Sequence, residues 1–123
     1  MTVIGIDMTL PWPPSMNSYY GSDRTGRKWV SRRGVDFREV TKKVVEVRFP
    51  KPMEGRLALR VAYFPPTRRK YDIDNYLKPL LDALERAGAF ENDEQIDQLE
   101  VRKSNVCKGG HCWVEITRMN RGA

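Results

Sequence analysis

Apolar and polar residues alternate in four stretches of the chain, a pattern typical of β-strands with one buried face. The first two stretches are VIGIDMT at 3–9 and RLALRVAYF at 56–64. The other two are QLEVRKSNVC at 98–107 and HCWVEITRM at 111–119, separated by a Gly-Gly dipeptide. Because Gly-Gly favours a two-residue β-turn, we expect the last two strands to form a hairpin.

Apolar residues recur at helical spacing in two other parts of the chain. In the first part, Phe37, Val40, Val44 and Val47 lie three or four residues apart and predict one buried helix face. Ser31, which precedes this pattern, is the expected N-cap.

The second predicted helix lies within residues 74–87, where apolar side chains again form one face. Because of Pro79, two positions are compatible with the start of this helix. The helix begins either at Pro79, where a missing N–H costs least, or at Asp74 as N-cap. Gly88 is expected to end it in the left-handed conformation.

The resulting order is strand, helix, strand, helix, strand, strand. It predicts an α+β fold with a mixed sheet and two helices packed on it, in one domain covering residues 1–123. The proline-rich LPWPPSMNSYYG and the basic SDRTGRK that follows it predict an irregular loop before the first long helix.

The chain is basic, with 22 Lys and Arg residues against 16 Asp and Glu residues. Its positive charges concentrate at 24–43 and 68–70, which favours attraction to a polyanion such as nucleic acid over scattered solubilising charge. It has no apolar run long enough to cross a bilayer and no signal-peptide layout. We therefore expect a cytoplasmic protein without a membrane partner.

The two cysteines and the one histidine give little support to cysteine, histidine or zinc chemistry. The expected Gly-Gly turn would place Cys107 opposite Cys112, where they form either a disulfide or, as is usual in the cytosol, two free thiols. Together with His111 they provide at most three ligands on one tight turn, too few for a structural zinc site.

Asp72 and Asp74 lie two residues apart, directly after the basic run RRK. In an extended segment, side chains at this spacing point to the same side and are able to bind one Mg²⁺ ion. The alternative is structural: the aspartates serve a turn and an N-cap, and Asp74 pairs with Lys78. ENDEQID contains four candidates for a third ligand: Glu91, Asp93, Glu94 and Asp97.

The blocks LPWPPSMNSYY and RRKYDIDNYLKPLLDALERAGAFENDEQI resemble the RusA family of Holliday-junction resolvases, small metal-dependent endonucleases of bacteria and prophages. The resemblance runs nearly end to end. It implies metal binding by Asp72, Asp74 and Asp93, with Mg²⁺ as the ion and Mn²⁺ as a substitute, and a catalytic role for Lys78. Asn92 stands where many family members have an additional aspartate, and Glu91 and Glu94 are candidates to support the ligands.

The resemblance also implies a substrate and an assembly. The substrate is a four-way DNA junction, which a homodimer resolves by paired symmetric nicks in recombination and repair. The apolar pattern does not identify the dimer contact, for which the helix at 35–48 and the hairpin around 110 are the two candidate surfaces. The residues expected to contact DNA are Arg68, Arg69, Lys70, Asn75, Arg27 and Lys28.

Two other functions remain compatible with the sequence. One is a less selective branched-DNA or flap nuclease with the same site. The other is a non-catalytic basic DNA-binding module whose acids cap a helix.

Overall fold

The computed structural model describes residues 5–119 and has an α+β fold. The elements are β1 (Gly5–Pro11), α1 (Met16–Tyr19), β2 (Tyr20–Ser22), β3 (Lys28–Val30), α2 (Arg32–Arg48), β4 (Leu57–Phe64), α3 (Leu77–Ala87), a 3₁₀ turn (Asp93–Gln95), β5 (Ile96–Lys103) and β6 (His111–Arg118). Residues 3 and 4 of the first predicted strand lie outside the described range. No helix within residues 5–119 is long and apolar enough to span a membrane.

The main sheet has four strands in the order β1-β6-β4-β5. β6 is antiparallel to β1 and to β4, whereas β5 is parallel to β4, so the sheet is mixed, as predicted. Alternate residues of β1, β4 and β6 are buried with residues of α2 and α3 in one hydrophobic core, against which Ile96 and Val101 of β5 are partly buried. α2 packs against β1 and α3, which leaves α3 on the half of the sheet that ends at the edge strand β5.

The predicted hairpin of the last two strands is wrong, because β5 and β6 lie on opposite sides of β4. After β5, the chain crosses the carboxyl end of β4, where the N–H groups of Ser104 and Cys107 donate to the carbonyl oxygens of Tyr63 and Pro65. β4, α3 and β5 form a strand–helix–strand crossover, and such crossovers join parallel strands. The Gly-Gly turn therefore belongs to the connection that leads from β5, on one side of β4, to β6, on its other side.

Because the hairpin is absent, Cys107 does not face Cys112. Cys112 is buried on β6 between Leu10 of β1 and Tyr63 of β4. Both cysteines are free thiols.

α2 begins as predicted but buries a different face. The Ser31 hydroxyl accepts a 3.1 Å hydrogen bond from the N–H of Gly34, which makes Ser31 the N-cap. Val40 and Val47, predicted to be buried, are 40% and 84% exposed. The prediction failed because it considered apolar residues alone, whereas the polar residue Thr41 has a fully buried side chain. The buried residues of α2 are Gly34, Phe37, Thr41 and Val45.

α3 begins at Leu77, between the two predicted starts, and its N-cap position is Tyr76. Asp74 is therefore not the N-cap. Pro79 is the third helical residue, where an N–H would have no intrahelical partner, so the proline is accommodated without a kink. Gly88 ends the helix with a φ of 91°, as predicted.

The segment predicted as an irregular loop contains α1 and the β2–β3 ribbon. Ser15 caps α1 by accepting a hydrogen bond from the N–H of Ser18. In the ribbon, the indole of Trp29 packs directly over Gly21, where a Cβ would lie only 2.6 Å from Trp29 Nε1. The side chain of Asp23 closes the turn of the ribbon by accepting three hydrogen bonds from Thr25 and Arg27.

Candidate metal site and nucleic-acid cleft

Asp72 and Asp74 lie in the connection between β4 and α3, and both are exposed. Their backbone carbonyl oxygens accept hydrogen bonds from the N–H groups of Asn75 and Leu77, at 3.1 and 3.2 Å. This part of the chain is a turn at residues 73–76, not the extended segment that the spacing suggested. The backbone thus forms the turn by itself and leaves the two carboxylates free.

Neither carboxylate has a hydrogen-bonding or ion-pair partner within residues 5–119, and Asp74 does not pair with Lys78 there. The structural explanation for the two aspartates, a capped helix and an intrahelical ion pair, is therefore not what the structure shows. Two exposed oxygen donors next to a cationic surface suit a hard divalent cation, which commonly uses one or two carboxylates together with water and substrate phosphate.

The proline-rich segment holds this acidic turn in place. Its Trp12 ring packs at 5.6 Å from the ring centre of Tyr71, which precedes the two aspartates, and at 4.8 Å from that of Tyr76, the last residue of the turn. The N–H of Met16 donates to the carbonyl oxygen of Asn75 inside the turn.

Tyr19, Arg38 and Asp82 form a half-buried polar network that joins α1, α2 and α3. Tyr19 donates to the carboxylate of Asp82, and Arg38 donates to Tyr19 Oη at 2.6 Å and to Asp82 Oδ2 at 2.8 Å. Burial raises the pKa of Tyr19. Burial also opposes ionisation of Asp82, but the hydrogen bonds from Tyr19 and Arg38 outweigh it and lower the pKa of Asp82. The network fixes the helix that follows the prolines against α3.

Asp93 lies in a separate, well-braced turn. Asn92 caps this 3₁₀ turn by accepting from the N–H of Glu94, and Gln95 accepts from the N–H of Asn92. The Gln95 amide then donates to the carbonyl oxygens of Met53 and Gly55. Asn92, which stands where many family members have an aspartate, thus acts as the cap of this turn. The N-x-x-Q spacing of a capping box was the available signal for it.

Asp93 is at the opposite end of α3 from the other two aspartates. Its N–H donates a 2.7 Å hydrogen bond to Glu85 in the last turns of α3, whereas Asp74 accepts from Leu77, the first residue of that helix. The eight steps along the chain from Leu77 to Glu85 correspond to roughly 12 Å at the rise of an α-helix. Within residues 5–119, no three His, Cys, Asp or Glu side chains come together as metal ligands.

Two of the other acids considered as third ligands are engaged elsewhere. Arg56 pairs with Glu94 at 3.1 Å and with Asp97 at 2.6 Å. Hydrogen bonds from these two carboxylates raise the pKa of Arg56. Glu94 and Asp97 therefore stabilise the 3₁₀ turn and the start of β5.

Lys78 is exposed on the first turn of α3. By helical spacing Lys78 neighbours Leu81, Asp82 and Glu85, and of these Asp82 contacts α2. Lys78 therefore lies on the same side of α3 as Glu85, which anchors Asp93.

An open cleft of about 1240 Å³ adjoins the acidic turn. Asp72, Asn75 and the predicted basic run Arg68, Arg69 and Lys70 all line it. Arg27 and Lys28 do not line the cleft and are instead exposed on the β2–β3 ribbon.

Two cations in the cleft were not singled out from the sequence. Arg33 lines it from the first turn of α2. Lys103 donates to the carbonyl oxygen of Tyr71 and lies 4.4 Å from the centre of its ring. The alternation within β5 gave no indication that its last residue contacts the acidic turn.

A small basic α+β domain with two unpaired carboxylates beside a cationic cleft is typical of metal-dependent proteins that act on nucleic acids. Comparison with known proteins makes the class specific. Residues 11–117 match the family model described as endodeoxyribonuclease RusA.

The chain is similar to proteins named crossover junction endodeoxyribonuclease RusA. The protein of Shigella sonnei strain Ss046 is 37% identical over 113 residues, covering 91% of this chain and 93% of that protein. The protein of Escherichia coli K12 is 36% identical over 117 residues, with the same coverage. That of Enterobacteria phage HK97 is 33% identical over 111 residues, covering 89% and 92%. The chain therefore belongs to the endodeoxyribonuclease RusA family, as its motifs predicted.

Proposed function

We propose that this protein is a divalent-cation-dependent endodeoxyribonuclease that resolves four-way DNA junctions by paired symmetric nicks, acting in the cytoplasm on recombination intermediates. Its family and the names of its relatives support this activity. The observation that carries the proposal is the position of Asp72 and Asp74. They are exposed and unpaired in a turn fixed at the wall of a cationic cleft.

Asp72 and Asp74 would hold the cation, Mg²⁺ in the first place and Mn²⁺ as a substitute. When bound, such an ion polarises the scissile phosphate and makes a bound water more acidic. The family resemblance gives Asp93 as the third ligand.

The remaining residues of the site manage negative charge. Lys78 would lie close to the phosphate and stabilise the charge that develops on its oxygens or on the leaving group. Arg68, Arg69 and Lys70 would bind the DNA backbone beside the acids and offset the repulsion between carboxylates and phosphates. Asn75 would donate to the DNA from the same turn.

We propose that Asp93 reaches the site from a second copy of the chain. Within residues 5–119, Asp72, Asp74 and Asp93 of one chain do not come together as ligands. The α3 residues that anchor Asp74 and Asp93, Leu77 and Glu85, are roughly 12 Å apart along the helix, whereas Mg²⁺–oxygen distances are close to 2 Å. A two-fold axis beside the middle of α3 would make the two α3 helices antiparallel. Asp93 of each copy would then approach Asp72 and Asp74 of the other.

The surface for this contact is the flank of α3 that faces away from α2, together with the edge strand β5. Ile73 and Leu99 are 42% and 41% exposed there, and Leu77 and Leu81 are half-buried. β5 is also one of the two edge strands of the sheet within residues 5–119. This surface replaces α2 and the glycine turn as our choice for the homodimer interface, because neither of those would bring Asp93 to the acid pair.

The direct test is cleavage of a four-way junction with and without Mg²⁺ by the wild-type protein and by Asp72→Asn. We expect cleavage only with Mg²⁺, and a loss of about a thousandfold in Asp72→Asn, since a positioned ion contributes several kcal/mol. Junction binding should persist in the variant, because the substitution removes no cationic side chain. Asp36→Asn is the matched control, because Asp36 is exposed on α2 and, among residues 5–119, pairs only with Arg32.

Full cleavage by Asp72→Asn would overturn the assignment of this residue. A panel of four-way, three-way, flap and linear DNA separates a resolvase from a less selective nuclease. If no substrate is nicked at any cation concentration, the protein is a DNA-binding module.

A further inference from the structure

The cleft beside Asp72 has a cationic rim and a mostly apolar floor. Arg33, Arg68 and Lys103 contribute to the rim. Such cationic side chains are sufficient to bind DNA phosphates. The floor is formed by lining residues that are buried or half-buried, which include Trp12, Tyr71, Tyr76 and the prolines 13, 14, 65 and 66, together with Ser15 and Ser18. A charged phosphate gains little from such a floor, whereas a flat uncharged base gains both burial and stacking.

The floor is pre-formed. Trp12 packs against Tyr63, Tyr71 and Tyr76, with ring centres between 4.8 and 5.7 Å apart. Gly110 approaches so closely that a Cβ there would lie 2.8 Å from Pro66 and 3.0 Å from Trp12. Lys103 contacts the Tyr71 ring and places a charge at the edge of the floor. A site held this firmly loses little entropy when it binds a ligand.

We propose that the floor of this cleft receives one unstacked nucleobase from the crossover of a branched DNA. This inference rests on the proposed function. Bases in linear duplex are stacked on both sides and do not reach an aromatic floor without unstacking. Stacking is interrupted at a crossover, so a base leaves the helix there at lower cost.

The position of the floor gives it a role in selectivity. Asp72 lines the same cleft, so a base held on the floor would place a neighbouring phosphate at the acid pair. Cutting then depends on a free base, which branched DNA offers and linear DNA does not. Trp12, Tyr71 and Tyr76 are specificity residues in this scheme, and they take no part in the chemistry.

Photocross-linking tests the inference on the wild-type protein. Four-way junctions carry a single iodouracil either at the crossover or one helical turn away from it, and they are irradiated with the protein in EDTA. We expect the crossover probe to cross-link to Trp12, Tyr71 or Tyr76 and the distal probe to leave them unmodified. Cross-links from the crossover that map only outside the cleft, or equal yields from both probes, would overturn it.

Affinity provides a second readout. Tyr71→Leu keeps an apolar side chain but removes one aromatic face, and we expect about tenfold weaker binding to the junction with unchanged binding to linear duplex. Phe64→Leu is the control, because Phe64 stacks on His111 on the other face of the sheet. Equal junction affinities of the two variants would count against the floor. If Tyr71→Leu does not fold, the wild-type cross-links decide.

Cleavage of the same junctions in Mg²⁺ distinguishes the two failures. A protein that binds and cuts junctions but shows no cross-link in the cleft retains the proposed function and lacks the base site. A protein that neither binds nor cuts junctions refutes both.

Discussion

The backbone N–H of Met16 donates a 2.9 Å hydrogen bond to the carbonyl oxygen of Asn75, across 59 residues of sequence. Met16 follows the prolines of LPWPPS, and Asn75 belongs to the turn that contains Asp72 and Asp74. Because prolines restrict the unfolded chain, the segment that provides this donor is stiff. The two family motifs therefore form one unit, in which the proline-rich segment positions the acidic turn.

Mixing two inactive variants tests whether the site is shared between two chains. Asp72→Asn and Asp93→Asn should each be inactive alone. A mixed dimer has one composite site with both substitutions and one with neither, so mixing should restore nicking to roughly a quarter of the wild-type rate when subunits exchange at random. The measurement is single-strand nicking of a labelled junction after co-refolding.

The matched control mixes Asp72→Asn with Asp74→Asn. Both substitutions then affect the same end of the site, and every composite site in the mixed dimer carries one of them. Activity restored in the control to the level of the first mixture, or none in either mixture, would contradict a site that takes Asp93 from the other chain.

The dimer contact is tested by placing a charge on the proposed surface. Leu99→Glu should weaken the dimer about a hundredfold, since a two-fold interface loses two leucine contacts of about 1.5 kcal/mol each. Analytical ultracentrifugation measures this change, and nicking should fall with it. Val47→Glu, on an 84% exposed valine of α2, should have no effect. If Val47→Glu dissociates the dimer instead, the interface is on α2.

The sequence predicted the parts of the site that are local and missed those that depend on topology. The caps at Ser31 and Gly88 and the alternation of β4 depend on residues close in sequence, so the sequence predicted them. The pairing of β5 was not, because the Gly-Gly dipeptide is a strong local hairpin signal. The competing signal was the helix between β4 and β5, which favours parallel neighbours.

The separation of Asp93 from Asp74 was also invisible in the sequence. A motif comparison places three ligands in order along the chain but gives no distance between them. The length of α3 decides that distance. The network of Tyr19, Arg38 and Asp82 was missed for a similar reason, since its members are spread over three helices and have no common spacing.

The salt dependence of junction binding tests the basic run. Removing one phosphate contact reduces the slope of log affinity against log salt by about 1, so Arg68→Ala and Arg69→Ala should each lower it by that amount. Arg60→Ala is the control, because Arg60 is on the open face of the sheet and pairs with Glu100 and Glu115. Titration of a labelled junction at several salt concentrations gives the slopes. Equal slopes for the variants and the wild type would exclude these phosphate contacts.

The polar network predicts a pH-dependent contribution to stability. Asp82→Asn removes the charge that pairs with Arg38 and should lower the free energy of unfolding by about 2 kcal/mol at neutral pH. Since the folded-state pKa of Asp82 is lowered, the contribution is complete above the unfolded-state pKa, about 4 for an aspartate. It is lost as the pH falls through the folded-state pKa.

Urea denaturation of both proteins across acidic and neutral pH measures this difference. The gap between wild type and Asp82→Asn should be constant near neutrality and close at strongly acidic pH. Asp36→Asn, which removes one partner of an exposed pair, should change stability by less than about 1 kcal/mol. A gap for Asp82→Asn that does not depend on pH would contradict the role of its charge.

The two cysteines should differ sharply in reactivity. Burial raises the pKa of the Cys112 thiol to about 12, and Cys107 is half-buried in the crossing segment. A thiol-reactive dye should therefore label one cysteine in the native protein and both after denaturation. Cys107→Ser should remove the native reaction. Absence of any reactive thiol in the denatured, unreduced protein would indicate the disulfide that the strand order disfavours.

The 11-residue length of α3 has a consequence for how much of the protein a cell can tolerate. Since roughly 12 Å of helix separates the two acidic segments of one chain, a monomer would lack a complete set of ligands if the proposed shared site is correct. Nuclease output would then rise with about the square of abundance at low expression. At low expression the chains would remain monomeric and would not cut the chromosome. Only a higher concentration of the protein would yield the active dimer.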